Sequence, residues 1–114
     1  MVPYVNKVWM IFVENLDELC IIWSVKFEWD ADKSSSNKTK HAIDFEAAKN
    51  IWLDENRVGI DAPHPVEDRS ILIGEYQNKL WTAIYTMRGD VIRIISVRRA
   101  RKKEANLYEK EKTG

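Results

Sequence analysis

A chain of 114 residues favours a single domain and is long enough to bury a core without disulfides or a structural metal. Its lone cysteine, Cys20, excludes an intrachain disulfide and fits a reducing cytosol. The 18 cations and 18 anions give a formal net charge of zero, which by itself argues against a polyanion binder.

The charges are unevenly placed. Residues 1–32 carry Lys7 and Lys26 against six acids, a net of −4. Residues 69–103 carry nine cations against Glu75 and Asp90, a net of +7. This asymmetry points to an anionic partner for the C-terminal half. A merely solvated surface is the weaker reading, because several of the arginines fall in predicted strands and not in a free tail.

Residues 1–24 contain two apolar runs, Val8–Val13 and Leu19–Val25, each too short to cross a bilayer. Glu14, Asp17 and Glu18 between them spoil a signal-peptide core. A cytoplasmic location with no membrane partner is therefore expected. Residues 1–24 form either an N-terminal hairpin or a loose extension, and residues 25–114 read as the complete unit.

Lys26–Trp29 has the composition of a short strand. Asp30 is a helix N-cap for Ala31–Lys40, with Asp32 in the first turn where the dipole favours an anion. The serine run Ser34–Ser36 weakens this helix. Asp44 opens a second helix, in which Phe45, Ala48, Ile51 and Trp52 recur at helical spacing and belong to the core. Asp54–Asn56 ends it, Arg57–Ile60 is a short strand, and Asp61–Asp68, with Pro63 and Pro65, is a loop. Ser70–Gly74, Lys79–Met87 and Val91–Arg98 are strands joined by turns at Gln77–Asn78 and Gly89–Asp90. Ala100–Glu111 is a closing helix. Helices segregated to one face of an antiparallel sheet make this an α+β fold.

The strand Val91–Arg98 alternates between Val91, Arg93, Ile95, Val97 and Ile92, Ile94, Ser96, Arg98, with an arginine on each face. A guanidinium is not buried cheaply. Arg93 and Arg98 must each reach an edge, line an anion site, or pair with an acid such as Glu28 or Glu104. Arg69 and Arg88 flank turns and can project near the same surface, where an arginine fork suits phosphate. Tyr85 and Trp81 can stack a base, although Trp81 reads better as core. Arg98, Arg99, Arg101, Lys102 and Lys103 put five cations at a strand–helix junction, against the helix dipole. That local cost points to contact with nucleic acid or an acidic protein patch. His41, near a helix end, is either a cap or a proton-transfer group. His64 is a loop residue. His41 and His64 have no zinc-site spacing, and there is neither a phosphate loop nor a nucleophile elbow, so no cofactor is expected.

Phe27-Glu28-Trp29-Asp30, Asn37-Lys38-Thr39-Lys40-His41, Asp44-Phe45-Glu46-Ala47-Ala48, Asp68-Arg69 and Ile73-Gly74 occur in an order that resembles the BrnT family of toxins. So do Tyr85-Thr86-Met87-Arg88-Gly89, Arg93-Ile94-Ile95-Ser96-Val97-Arg98-Arg99-Ala100, and Glu104 with Tyr108. The likeness covers about residues 25–110. It implies a RelE-like fold, with helices packed on an antiparallel sheet, and the toxin half of a type II toxin–antitoxin module. It implies RNA cleavage that stops growth, and neutralisation in a hetero-oligomer with a BrnA antitoxin. It places functional weight on His41, Arg69, Arg88, Arg93 and Arg98. Val97 stands where the family often has alanine, and Ser34–Ser36 and the two-proline loop alter only the rim of the site. A metal-independent endoribonuclease fits these residues. A ribose 2′-OH attacks the adjacent phosphorus, arginines stabilise the phosphoryl charge, and His41 is the base, with Tyr85 or a lysine as alternative. Arg99, Arg101, Lys102 and Lys103 then bind RNA. The competing reading is a non-catalytic nucleic-acid or protein-binding module that uses the same basic surface.

Overall fold

The computed structural model describes residues 8–9, 25–62 and 68–113. Cys20 and His64 lie outside these residues. Capping sets the first two helices. Asp30 Oδ1 accepts the N–H groups of Asp32 and Lys33 at 2.8 and 3.2 Å, which starts α1 (Ala31–His41) directly after β2 (Val25–Glu28). The serines do not break α1, because Ser34 Oγ accepts the Phe45 N–H at 2.9 Å and ties α1 to the next helix. Ala42 ends α1 at φ 65°, a left-handed residue that returns its N–H to the Lys38 carbonyl.

Asp44 Oδ1 accepts the Ala47 N–H at 2.8 Å and starts α2 (Phe45–Ala48). After one turn the chain tightens into a 3₁₀ stretch, Lys49–Leu53, where sequence spacing had implied one continuous α-helix. Asn50 Nδ2 takes the Ala47 carbonyl at 2.9 Å, in competition with the helical ladder. This stretch lies hard against Gly74, where a Cβ would meet Ile51 Cγ2 at 2.7 Å and its carbonyl oxygen at 2.9 Å.

The sheet contains β1 (Val8–Trp9), β2, β3 (Val58–Ala62), β4 (Arg69–Tyr76), β5 (Lys79–Arg88) and β6 (Val91–Arg99), in spatial order β1-β2-β6-β5-β4-β3. Strands β3 to β6 form the expected antiparallel meander. Gln77 and Asn78 both take positive φ in the first tight turn, and Gly89 does so in the second. β2 joins β6 in parallel, so the whole sheet is mixed. β1 pairs antiparallel with β2, and the rest of the N-terminal hairpin expectation lies outside the described residues. Asp61 and Ala62, expected in the loop, instead extend β3.

The α+β class holds. α1 and α2 pack on one face, where Phe27, Phe45, Ala48, Ile51, Ala83, Ile94 and Val97 are buried. Trp52 meets Phe27 and Tyr85 edge-on, with centroids 5.1 and 5.3 Å away. Lys49 is buried beside this core, its Nζ 3.0 Å from Glu46 and 5.8 Å from the centre of the Trp29 ring. The closing helix α3 (Lys102–Thr113) reaches the opposite face, since Glu104 bonds Thr82, whose side chain points away from that of Ala83. There Ile73 and Tyr108 are buried outside the main cluster.

Strand β6 carries one irregularity. Tyr85 pairs with Ile94 and Ile84 with Ser96, which leaves Ile95 unopposed as a bulge. The Asn37 amide secures the strand just beyond it. Asn37 Nδ2 donates to the carbonyls of Val97 and Ile43, both at 2.8 Å, and Oδ1 accepts the Val97 N–H at 3.2 Å. In effect a buried side chain supplies the neighbouring strand that β2 no longer provides past Arg93. Asn37→Ala orphans these groups and should cost about 1–3 kcal/mol. Asn37→Asp should cost at least as much near neutral pH, because its carboxylate would face two carbonyls. Urea unfolding midpoints measure both, and wild-type stability in either would show that the clamp is unimportant.

Candidate functional site

Strict alternation along β6 would place Arg93 and Arg98 on opposite faces. The bulge at Ile95 corrects this. Arg93 pairs with Thr86 and Arg98 with Thr82, and these threonines are four residues apart on β5, so both arginines emerge on the face opposite α1 and α2. On the same face Glu28 of β2 stands beside Arg93. Ser70 faces Tyr85, so Arg69 of β4 stands beside Thr86. Glu28, Arg93, Thr86 and Arg69 thus form a row across four strands, and Arg88 lies two residues beyond Thr86.

Distances grade this row. Arg93 Nη1 donates to Glu28 Oε2 at 3.1 Å. Arg88 Nη1 is 3.8 Å from the same oxygen, a charge contact beyond hydrogen-bond length. The Glu28 side chain is 9% exposed, Arg93 20% and Arg88 57%. Thr86 Oγ1 donates to the Asp68 carbonyl at 2.9 Å, which fixes the start of β4 where Arg69 emerges. Arg69 Nε is buried and has no hydrogen-bond partner among the described residues.

Arg98 shares the face but is already engaged. Its Nη1 and Nη2 donate to Glu104 Oε1 and Oε2, both at 2.8 Å, in a two-pronged pair. Glu104 Oε1 also accepts the Thr82 hydroxyl at 2.9 Å and the Arg101 N–H at 2.7 Å. The last of these is half of a capping box at the start of α3. This carboxylate offsets the cost of cations at that helix end. Farther along, Tyr108 Oη donates to Asp54 Oδ2 at 2.7 Å, which also accepts the Glu75 N–H. Burial tends to raise the Asp54 carboxyl. The Tyr108 hydroxyl, two backbone N–H groups and Lys112 outweigh it and hold Asp54 below its ordinary value. Burial first, and then Asp54, push the Tyr108 hydroxyl up.

The remaining residues named from sequence are dispersed. Arg99, Arg101, Lys102 and Lys103 are exposed, with the Arg99 guanidinium 5.6 Å from the centre of the Trp81 ring. Trp81 is core, as expected. Tyr85 packs against Trp52 on the helical face, away from the arginine row. His41 is not the cap of α1, a role taken by Ala42. It lines a cavity of about 200 Å³ with Lys33, Ser36, Asn37, Lys40, Ile95 and Ser96. Ser96 pairs with Ile84 and so belongs to the arginine face, which places this cavity at the β6 edge where the two faces meet. Among the described residues no group of three His, Cys, Asp or Glu side chains is placed to hold a metal ion, and no helix is long and apolar enough to cross a membrane. Sequence reasoning treated Glu28 only as an ion-pair partner and overlooked Asn37. The signal for Asn37 was an amide on a short polar helix that has few apolar anchors of its own.

The Arg98 guanidinium, with the Arg101 N–H and Thr82 hydroxyl, draws the Glu104 carboxyl down to about 2 against its own partial burial. A depressed folded value stabilises the fold fully above the ordinary 4.5 and loses that contribution as pH falls towards about 2. Glu104→Gln should therefore be less stable than wild type at pH 7, with the gap closing between pH 4.5 and about 2. Denaturant midpoints across this range test it, and a gap that does not change with pH would refute the assignment.

A family model described as the ribonuclease toxin BrnT of type II toxin–antitoxin systems matches residues 29–104, more than half of the chain. No curated protein matches it. The chain belongs to the BrnT family of ribonuclease toxins.

Proposed function

We propose that this chain is a metal-independent endoribonuclease that binds the scissile phosphate on the Arg69–Arg93–Arg88 row. The observation that carries the reading is the buried Nε of Arg69, without a hydrogen-bond partner among the described residues, on the sheet face that also carries Arg93 and Arg88. A buried donor without an acceptor is costly, and a phosphoryl oxygen supplies the acceptor. The ribose 2′-OH attacks the adjacent phosphorus and the P–O5′ bond breaks, leaving a 2′,3′-cyclic phosphate and a 5′-OH. Charge builds on the non-bridging oxygens, where preset donors lower the barrier by about 3 kcal/mol each.

His41 is the proposed base. Its cavity shares Ser96 with the arginine face, and a strand laid over the β6 edge reaches both. Hydrogen bonds of this kind tighten on substrate binding. Tyr85 is left to the core by its packing on Trp52. Arg98 anchors α3 through Glu104. The exposed Arg99, Arg101, Lys102 and Lys103 guide RNA along the surface. Cleavage stops growth in the cytoplasm until a BrnA-like antitoxin, with an acidic or amphipathic segment, covers Arg88–Lys103 in a hetero-oligomer. Charge complementarity speeds that association.

Protein freed of any partner should cleave single-stranded RNA in EDTA. Loss of activity in EDTA with recovery in magnesium would overturn metal independence. RNA binding with no cleavage under either condition would favour the binding-module reading. Arg69→Ala and Arg88→Ala should each lower the cleavage rate by about 100- to 1,000-fold with the fold retained. Wild-type rates in either variant would remove that residue from the site.

A further inference from the structure

Among the described residues the Glu28 carboxylate is the one acid in a row of arginines, and it is nearly buried at the end of β2. A carboxylate in such a place is costly unless its partners hold it. Two guanidinium groups do so, and they do so unequally. Arg93 is hydrogen-bonded at 3.1 Å and mostly enclosed, whereas Arg88 is 3.8 Å away and more than half exposed. A phosphate arriving from solvent meets Arg88 before it meets Arg93.

We infer that Glu28 is the positioning residue of the arginine row: it fixes Arg93 and holds Arg88 loosely, as an internal stand-in for the substrate phosphate that releases Arg88 when RNA binds. Its charge also relieves the repulsion of cations crowded on one face. The inference rests on the proposed ribonuclease reading for its rate readout, but not for its binding readout. Removing the charge while keeping the shape should therefore have opposite effects on binding and on rate. Arg88 becomes free to take a phosphate permanently, so binding tightens. Arg93 loses its charged hydrogen-bond partner at 3.1 Å, so the catalytic geometry loosens and the rate falls.

The test uses Glu28→Gln in the full chain, with uncleavable 2′-O-methyl RNA for binding and ordinary RNA for rate. Wild type must give up the Arg88–Glu28 contact to make its phosphate contact and Glu28→Gln need not, so the slope of log K against log salt should steepen by about 0.7, one charge's worth, with severalfold tighter binding at low salt. The cleavage rate should fall about 10- to 100-fold, as expected when a catalytic group is misplaced by about an ångström. In an Arg88→Ala background the Glu28→Gln change should leave the salt slope unaltered. Glu28→Asp keeps the charge but shortens the reach, which loosens the 3.8 Å contact with Arg88 first, so its salt slope should lie between those of wild type and Glu28→Gln while its rate falls; it also serves if Glu28→Gln does not fold. A wild-type slope and affinity in Glu28→Gln would overturn the inference. A steeper slope that persists without Arg88 would do the same. If wild type does not cleave RNA, the ribonuclease reading fails while the binding slopes still decide the role of Glu28.

Discussion

The unopposed residue Ile95 in β6, and the Asn37 amide that secures the strand beside it, set which way every later side chain of that strand points. β6 is the interior strand between β2 and β5, and its helical face must be apolar. One extra residue lets Ile92, Ile94 and Val97 all face the core while Arg93 and Arg98 both face away. Without it, one of the two guanidinium groups would be driven under α1. The clamp is a polar solution to an edge problem. β2 pairs with β6 only through Arg93, and past that point a helix side chain, not a strand, satisfies Val97.

The same constraint sorts the cations of the C-terminal half. Arg98 is neutralised by Glu104 and joins the sheet to α3. Arg93 is held by Glu28 at the centre of the face, with Arg88 and Arg69 beside it. Arg101, Lys102 and Lys103 stay in solvent. A net charge of +7 over 35 residues therefore comprises a structural pair, a preset row and a diffuse field. Only the row combines fixed geometry with an unmet donor. An exposed run of this kind acts mainly on the rate of encounter with an anion, a salt-sensitive effect.

Much of this was legible in the residues. Asp30 and Asp44 announced the two helices through their capping chemistry, and Gln77–Asn78 and Gly89–Asp90 marked the turns of the meander. The ion pairs of Arg93 with Glu28 and of Arg98 with Glu104 were among the alternatives that burial cost allowed. The bulge was not legible, because period-two alternation carries no mark of where one residue is skipped. The tight 3₁₀ stretch after Ala48 escaped for a similar reason. It depends on Gly74, distant in sequence, offering no Cβ to Ile51. The separation of Tyr85 from the arginines follows from its packing on Trp52, a tertiary choice that composition does not encode. The family likeness named candidate site residues but not their division between two faces.

On the proposed reading the arginine row, and not the exposed basic run, is where an RNA phosphate is held. Nuclear magnetic resonance of the arginine Nε–H groups, recorded during titration with uncleavable RNA, tests it most directly. Arg69 should shift most, since its buried Nε gains an acceptor, Arg88 and Arg93 should follow, and Arg98 should stay in place on Glu104. Shifts confined to Arg99 and Arg101, with Arg69 silent at saturation, would contradict it.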